Sequence, residues 1–502
     1  MPPHQADAIV IGSGISGLTT AALLAKSGRQ VVLIEKNKKP GGALRRFKRA
    51  GIPFDIGFHY TGGLGNKEIL RVLWEYLGVW PNITAVPLHP GGHDLFRFRK
   101  SGRSVRAYYS YDLLQEELIT NFPREAGGIR DFLANIRRIC RTVPFYNLDL
   151  PLTPFLRDYL TAGNRSLADV IQTSVKDPEL QAILAAPALL YGIPPRNAGF
   201  ALHSAVTHGY YSGAYGIVGG GQAIVDAFIT VLQRTGTEII TNCPVEHITV
   251  KDGTVQSVIA GGHEIKAEQV IYTGQPNALP DLTAKGTFRP AYIHRLKDLE
   301  DTKSMFILFG KLDCPDDGPR LATTNLYSLP PGVDIMDAPS PGTAGETLLV
   351  TAPGRRDVSD GSDAPAANGV IVMRPASWEE AATYDLGHKK RRTGYQTWKE
   401  ETATTLLTEV EKCFGDLCPK ITPLATGTPL TFRDELGGPQ GGVYGTQHNM
   451  TQFAPRARTK VEGLTLSGQS TLMTGLLGSS LAGLVTAGEI IGLETIWDQV
   501  LT

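Results

Sequence analysis

The chain has 502 residues, of which 49 are Lys or Arg and 49 Asp or Glu, and 42% are hydrophobic. That length suffices for two or three domains around a large core, and the balanced charge excludes the basic footprint of a nucleic-acid-binding protein. The five cysteines, Cys140, Cys243, Cys314, Cys413 and Cys418, are scattered with no Cys-x-x-Cys pair, which points to a reducing compartment and away from a disulfide framework or a zinc site.

Met1 to Ala6 carry no basic-then-apolar signal segment, so the expected location is the cytoplasm. No apolar run reaches the ~18 to 20 residues of a spanning helix. The nearest, Ala182 to Ile193 and Gly475 to Ala487, are broken by Pro187 or rich in glycine. Contact with a membrane surface is left open.

Ala8 to Ile11 predict a buried parallel strand, and Leu18 to Ala25 the helix after it. Between them Gly12, Gly14 and Gly17 stand at Gly-x-Gly-x-x-Gly spacing. Gly12 would permit the tight turn, Gly14 would let a pyrophosphate approach the backbone, and Gly17 would let helix and strand pack closely. The pyrophosphate would sit at the helix N-terminus, where unpaired N–H groups favour negative charge. Glu35 ends the second strand, Val-Val-Leu-Ile-Glu, roughly 20 residues on, where a carboxylate accepts from ribose hydroxyls and disfavours a 2′-phosphate. The pattern predicts a dinucleotide other than NADP.

A basic stretch follows, Lys36 to Gly42 and then Ala43 to Arg49. Gly41 and Gly42 would bring backbone close to a cofactor. Arg45, Arg46, Lys48 and Arg49 suit either a solvated loop or one arginine facing the cofactor. Phe54 to Gly63 alternate like a strand entering a glycine turn, which would place His59 and Tyr60 beside Gly41 and Gly42. From about Leu70 to Phe200 the texture becomes helical and amphipathic, as in Leu113 to Thr120 and Gly128 to Val143. This part reads as an insertion that shapes a pocket. Tyr191-Gly-Ile-Pro-Pro interrupts it, and Phe200 to Tyr211 carry His203, His208, Tyr210 and Tyr211.

Nucleotide-fold signals resume with a helix over Ala223 to Arg234, a strand over Glu238 to Thr241, a hairpin of Val245 to Val250 with Val255 to Ala260, and a strand over Glu268 to Thr273. Met305 to Gly310 and Thr347 to Thr351 predict strands of a substrate domain, Gly354 to Gly369 a polar surface loop, and Trp398 to Phe414 a helix. Near the end, Leu464 to Gln469 reads as a strand closing on Gly-Gln, followed by a small-residue helix over Gly475 to Gly492. Such a strand and helix can point a helix N-terminus at a flavin.

These motifs resemble the FAD-dependent phytoene desaturase superfamily, nearest its carotenoid isomerase and retinol saturase branch. The resemblance spans nearly the whole chain. It rests on the N-terminal fingerprint with Glu35, Gly41-Gly42, Asp55-Ile-Gly-Phe-His-Tyr60, Tyr191 to Pro195, Gly213-Ala-Tyr with Val218-Gly-Gly, and Thr459 to Gly483. Two positions depart from it: Ser470 after Gly468-Gln469, where the branch often has Asp, and Ala43 after Gly41-Gly42. The resemblance implies an α/β architecture, a Rossmann-type, amine-oxidase-like FAD-binding domain with an inserted α+β substrate domain. The expected division is 1–75, 206–280 and 426–502 for the FAD domain and 76–205 and 281–425 for the substrate domain. The positions assigned to FAD are Gly12, Gly14, Ser16, Gly17, Glu35, Lys36, Gly41, Gly42, Val245, Gly468, Gln469 and Gly475.

The implied activity is oxidoreduction at C=C bonds of a hydrophobic polyene or isoprenoid. Saturation, desaturation and isomerisation all use the same parts, and no residue separates them; the electron partner is likewise open. Another hydrophobic alkene, a polyketide or fatty-acyl chain, is the same-class alternative. A flavin-free prenyl-lipid carrier like the Rab GDP-dissociation inhibitors is the alternative from another class. His59, Tyr60, His203, His208, Tyr210, Tyr211 and Tyr444 are the candidate proton donors, with His59, Tyr60, Tyr211 and Tyr444 favoured. No metal-ligand cluster is expected.

Overall fold

The structure, a computed structural model, describes residues 5–158, 165–313, 318–339, 345–357, 368–418 and 420–502. Among them, two seven-stranded sheets carry the architecture. In the first, Gln5–Ile11 lies between the parallel strands Val31–Ile34 and His263–Tyr272. Glu238–Ile240 extends it on one side and Leu464–Leu466 on the other, both parallel. Chain order therefore runs outward from Gln5–Ile11 in one direction and then restarts in the other. That reversal, between Gln5–Ile11 and His263–Tyr272, is the topological switch point where open α/β sheets bind ligands, outside the carboxyl ends of the strands.

Helices explain why these strands are apolar throughout. Val31–Ile34 is buried at all four positions, as a parallel strand covered on both faces must be. Ile15–Lys26 packs on one face with Gly475–Ile491 beside it, and the hydroxyl of Thr20 donates to the Ser16 and Gly483 carbonyls at 2.8 and 3.3 Å. A side-chain carbon on Gly483 would lie 2.7 Å from the Ser16 carbonyl oxygen. The small residues of the C-terminal helix are thus what lets the two helices touch. The first half of His263–Tyr272 also pairs antiparallel with Thr254–Ala260, which pairs with Val245–Lys251. Asp252 and Gly253, at φ 51° and 80°, make the tight turn of that hairpin.

The second sheet runs Ile421–Gly427, Ser304–Leu312, Gly369–Ala376, Leu348–Thr351, Asn325–Ser328, Asp94–Arg97, Ser104–Ala107. Its period-two alternation divides side chains between two cores. Phe306, Leu308, Val350 and Val372 pack with Leu406, Val410 and Phe414 of the helix Tyr395–Phe414. Met305, Ile307, Leu349 and Met373 face the opposite way, into the main core. Helices Tyr111–Asn121, Ala126–Cys140, Pro178–Ala185 and Phe200–Ser212 cap that side. Among the described residues no helix is long and apolar enough to cross a membrane.

Four segments differ from the sequence expectation. Asp94–Arg97 and Ser104–Ala107, within the stretch expected to be helical, are strands, because the open edge of the second sheet pairs with them. Arg46–Arg49 is not a loop but a hairpin strand against Ile52–Asp55, and Arg46 is held by the carboxylates of Asp55 and Asp357 rather than turned toward a cofactor. The expected loop 354–369 begins inside a short buried helix, Pro353–Asp357, and ends at the strand Gly369–Ala376; its residues 358–367 lie outside the described residues, as does Cys314.

Candidate active site

At the switch point a cavity of about 460 Å³ opens, within the range of small-molecule and cofactor sites. One end is lined by Gly12, Gly14, Ser16, Glu35, Lys36, Gly41, Gly42 and Val245, and Gly468, Gln469 and Gly475 line it from the C-terminal segment. Of the twelve positions assigned to a cofactor, only Gly17 is not in the wall. A side-chain carbon there would stand 2.0 Å from the Gly12 carbonyl oxygen, so Gly17 serves the helix–strand contact beneath.

Glu35 is organised by neighbours that the motif does not name. The carboxylate is 5% exposed. One oxygen accepts from the Ser13 N–H and hydroxyl at 3.1 and 2.5 Å, the other from the Asn37 backbone N–H and side-chain amide at 2.8 and 2.9 Å. The Ser13 hydroxyl oxygen in turn accepts from the Gly41 N–H at 3.0 Å, tying the first glycine loop to the second. Gly41 stands at φ 120°, and a side-chain carbon on it would reach within 2.6 Å of Val225. Ser13 and Asn37 carried no sequence signal beyond standing beside the motif.

The wall fits FAD. Gly14 is the N-cap of Ile15–Lys26 without a side-chain cap, so the first N–H groups of that helix point at the cavity unpaired, as a pyrophosphate site requires. Unlike Gly17, a side-chain carbon on Gly14 would meet no protein atom within 4 Å; the space beside it is free for a ligand. A second helix, Gly475–Ile491, also begins at the wall with no side-chain cap. Two polar atoms of wall residues, His59 Nδ1 and Gln275 Oε1, are buried without a protein hydrogen-bond partner, and a polar ligand would satisfy them. At Ser470, where the related branch often has Asp, the hydroxyl oxygen accepts from the Thr446 N–H at 3.3 Å.

The other end of the cavity is apolar: Leu189, Leu190, Met305, Ile307, Leu349, Met373, Pro375, Phe432, Val443 and Leu476. Three of the four favoured donors, His59, Tyr60 and Tyr444, are in its wall. Burial, with Arg356 nearby, lowers His59 to about 4, so the ring is neutral at physiological pH. The Arg356 guanidinium donates to the His59 carbonyl. Burial pushes the Tyr444 phenol up to about 12 and Tyr60 well above its ordinary value; both are neutral hydroxyls.

Tyr211 is elsewhere. On the helix Phe200–Ser212, Thr207, Tyr210 and Tyr211 share one face at i, i+3, i+4 spacing and turn into a smaller chamber on the far side of Tyr60. His203 is fully buried against the Tyr191 hydroxyl at 3.1 Å, and His208 bonds the Tyr111 hydroxyl at 2.6 Å; neither reaches the main cavity. The apolar wall itself went unassigned in the sequence, although the strand run Ser304–Leu312 held the signal: every other residue of it faces the cavity side.

Comparison with known proteins agrees with this geometry. The chain is 26% identical to "All-trans-retinol 13,14-reductase" of Danio rerio, over 97% of this chain and 86% of that one. It is 26% identical to "Prolycopene isomerase 1, chloroplastic" of an Oncidium hybrid cultivar, over 98% and 85%. Both belong to the branch that the sequence motifs resemble. Among solved structures, an oxidoreductase from Methanosarcina mazei shares the fold at a TM-score of 0.66 and 16% identity, covering 95% of this chain and 99% of that one. The family model "Flavin containing amine oxidoreductase" matches residues 15–360, most of the chain, and the protein belongs to that family as an FAD-dependent oxidoreductase.

Proposed function

We propose that the protein acts on the C=C bonds of a hydrophobic polyene of retinoid or carotenoid type, by saturation or isomerisation ahead of desaturation. The observation that carries this is the apolar wall opposite Tyr60 and His59. Met305, Ile307, Leu349, Met373 and Phe432 offer a long carbon chain contact without a single charge. The carboxylate nearest that end, Glu435, is held by Arg45 and Lys389 at 3.2 and 3.4 Å, so it does not present a free partner for a substrate cation. The retinol reductase and prolycopene isomerase relatives support the same substrate class.

FAD, when bound, supplies or accepts a hydride. Gly12, Gly14, Gly41, Gly42 and Glu35 would hold its pyrophosphate and ribose, with Gly468, Gln469 and Gly475 on its far portion. The residues of this chain then have three tasks: to press the polyene against the sheet wall, to exclude water, and to move the proton that accompanies the hydride. His59, neutral and buried, orients through a ring N–H or lone pair; Tyr60 and Tyr444 are the hydroxyls within the wall.

The test is anaerobic reduction of the purified holoprotein with dithionite, followed by all-trans retinol or lycopene. Saturation predicts oxidised flavin bands returning in proportion to double bonds lost. Flavin that stays reduced while the isomer composition changes establishes isomerisation. In a parallel sample left oxidised, bleaching of the flavin by an added polyene establishes desaturation. Protein that neither carries nor takes up FAD would sink the enzyme reading in favour of a lipid carrier. Because such substrates partition into bilayers, the proposal includes delivery from a membrane surface, and co-sedimentation with neutral lipid vesicles checks it.

A further inference from the structure

Behind Tyr60 lies a buried polar group that the cavity wall does not need. The parallel pairing of Asp94–Arg97 with Asn325–Ser328 sets Asp94 beside Asn325 and Phe96 beside Tyr327. Alternation turns Leu95 and Leu326 into the opposite core and leaves Asp94, Phe96 and Tyr327 lining the chamber behind Tyr60, together with His93, Thr207, Tyr210 and Tyr211. Tyr60 lines both spaces.

The polar atoms cluster around this chamber. The Tyr60 and Tyr327 hydroxyls are 3.3 Å apart, long for a hydroxyl pair and of the kind that tightens with substrate bound. One Asp94 oxygen accepts from the Asn325 amide at 2.7 Å, and the Asn325 oxygen accepts from the Thr351 hydroxyl at 2.8 Å. That fixes the carboxyl so that its other oxygen stands 3.5 Å from His93 Nε2. His93 is 2% exposed and its Nδ1 has no protein partner. The chamber, about 30 Å³, has room for one water, which its hydroxyls, imidazole and carboxyl could bond. Burial raises Asp94 and lowers His93, which favours the uncharged form of each. The titratable groups facing Asp94 are His93, Tyr60, Tyr210, Tyr211 and Tyr327, and Tyr60 in turn acts on Arg356. Such a group set into an apolar wall is costly unless its polar atoms are paired, and His93 Nδ1 is left without a protein partner.

We propose that Tyr60 exchanges a proton with the substrate carbon and that Tyr327, Asp94 and His93 form the relay that resupplies it through the chamber. This rests on the alkene chemistry proposed above. In saturation, one alkene carbon would take the hydride that reduced FAD, held by Gly12, Gly14, Gly41, Gly42 and Glu35, would supply. The π electron pair then forms the second C–H bond with the Tyr60 hydroxyl proton. The Tyr60 phenolate recovers a proton from Tyr327 or the chamber water, that group from the Asp94 carboxyl, and Asp94 from solvent by way of His93. The alkene gains two electrons and two hydrogens, the flavin loses two electrons, and one solvent proton is consumed. Tyr60 is thus the catalytic residue; Tyr327, Asp94 and His93 position and supply it.

The experiment is single turnover of reduced holoenzyme with polyene, in H₂O and D₂O, across pH, for wild type, Tyr60→Phe, Asp94→Asn and Asp94→Glu, with flavin content as the folding control. Tyr60→Phe and Asp94→Asn should each slow the step by about 100-fold or more, as expected for loss of a general acid, with KM held. Wild type should slow as pH rises through Asp94 ionisation and show a solvent isotope effect. Asp94→Asn should lose that alkaline limb and Asp94→Glu restore it. Flavin-loaded Asp94→Asn with wild-type rate, pH profile and isotope effect would overturn the relay while leaving the alkene chemistry intact. An infrared difference spectrum of the oxidised holoproteins is the second arm and needs no turnover. A protonated-carboxyl band lost in Asp94→Asn and displaced in Tyr60→Phe supports the relay even if wild type reduces no polyene tried, in which case the substrate proposal is what fails. No such band overturns the relay.

Discussion

The two ends of the cavity are built on different principles. The end proposed for FAD consists mainly of backbone: glycines of two adjacent loops, two uncapped helix N-termini and one carboxylate, with Ser13 and Asn37 fixing that carboxylate from positions 22 and 2 residues away in sequence. The substrate end consists of side chains brought from strands and helices far apart, Met305, Leu349, Met373 and Phe432 among them. Backbone dipoles recognise a fixed, charged group and need only glycine and a turn to do so. An apolar wall recognises shape, and shape depends on which sheet face each residue takes.

This contrast can be broken by experiment. The largest effect is expected at the cofactor end: Gly14→Val should fold, since its side chain enters free space, but lose FAD completely. A normally yellow variant would be evidence against a pyrophosphate there. Glu35→Arg should also abolish tight FAD retention by removing the ribose acceptor and releasing Ser13 and Asn37; flavin content per protein measures it, and an unchanged value counts against the assignment. Gly17→Ala inverts the logic. Its methyl would press on the Gly12 carbonyl, so stability should fall by about 1–3 kcal/mol, read by urea unfolding, before any effect on binding.

At the substrate end, Met373→Trp should raise the polyene KM by about tenfold or more through overfilling the wall while flavin content stays at the wild-type level. A parallel loss of flavin would mean that the two ends are not separable. The smallest effect concerns acid. Burial lowers His59 and His203 to about 4 and about 3, so the folded state binds fewer protons than the unfolded chain. The stability they contribute is complete above the ordinary imidazole value of about 6.5 and is lost as pH falls toward those lowered values, each at up to about 1.4 kcal/mol per pH unit. His203→Gln should remove one proton from the slope of unfolding free energy between pH 6 and 4, with no change in flavin content.

The end proposed for FAD was legible before any packing was known, because Gly12, Gly14 and Gly17, Glu35 and Gly41-Gly42 act through local geometry: turn, helix start and strand end lie within one stretch of chain. So were most of the strands and helices that carry them, the hairpin at Asp252-Gly253 and the small-residue helix after Gly475 included. The rest came from long-range packing. The edge of the second sheet made strands of Asp94–Arg97 and Ser104–Ala107, where local texture favoured helix. Two carboxylates, 9 and 311 residues away, claimed Arg46. Helix phase turned Tyr211 into the chamber behind Tyr60 rather than into the cavity. Asp94 and Tyr327, separated by more than two hundred residues, came to line one chamber through a parallel strand pair whose register no local pattern encodes. Contacts of that kind are set by which faces must bury together, and that is a property of the packed chain.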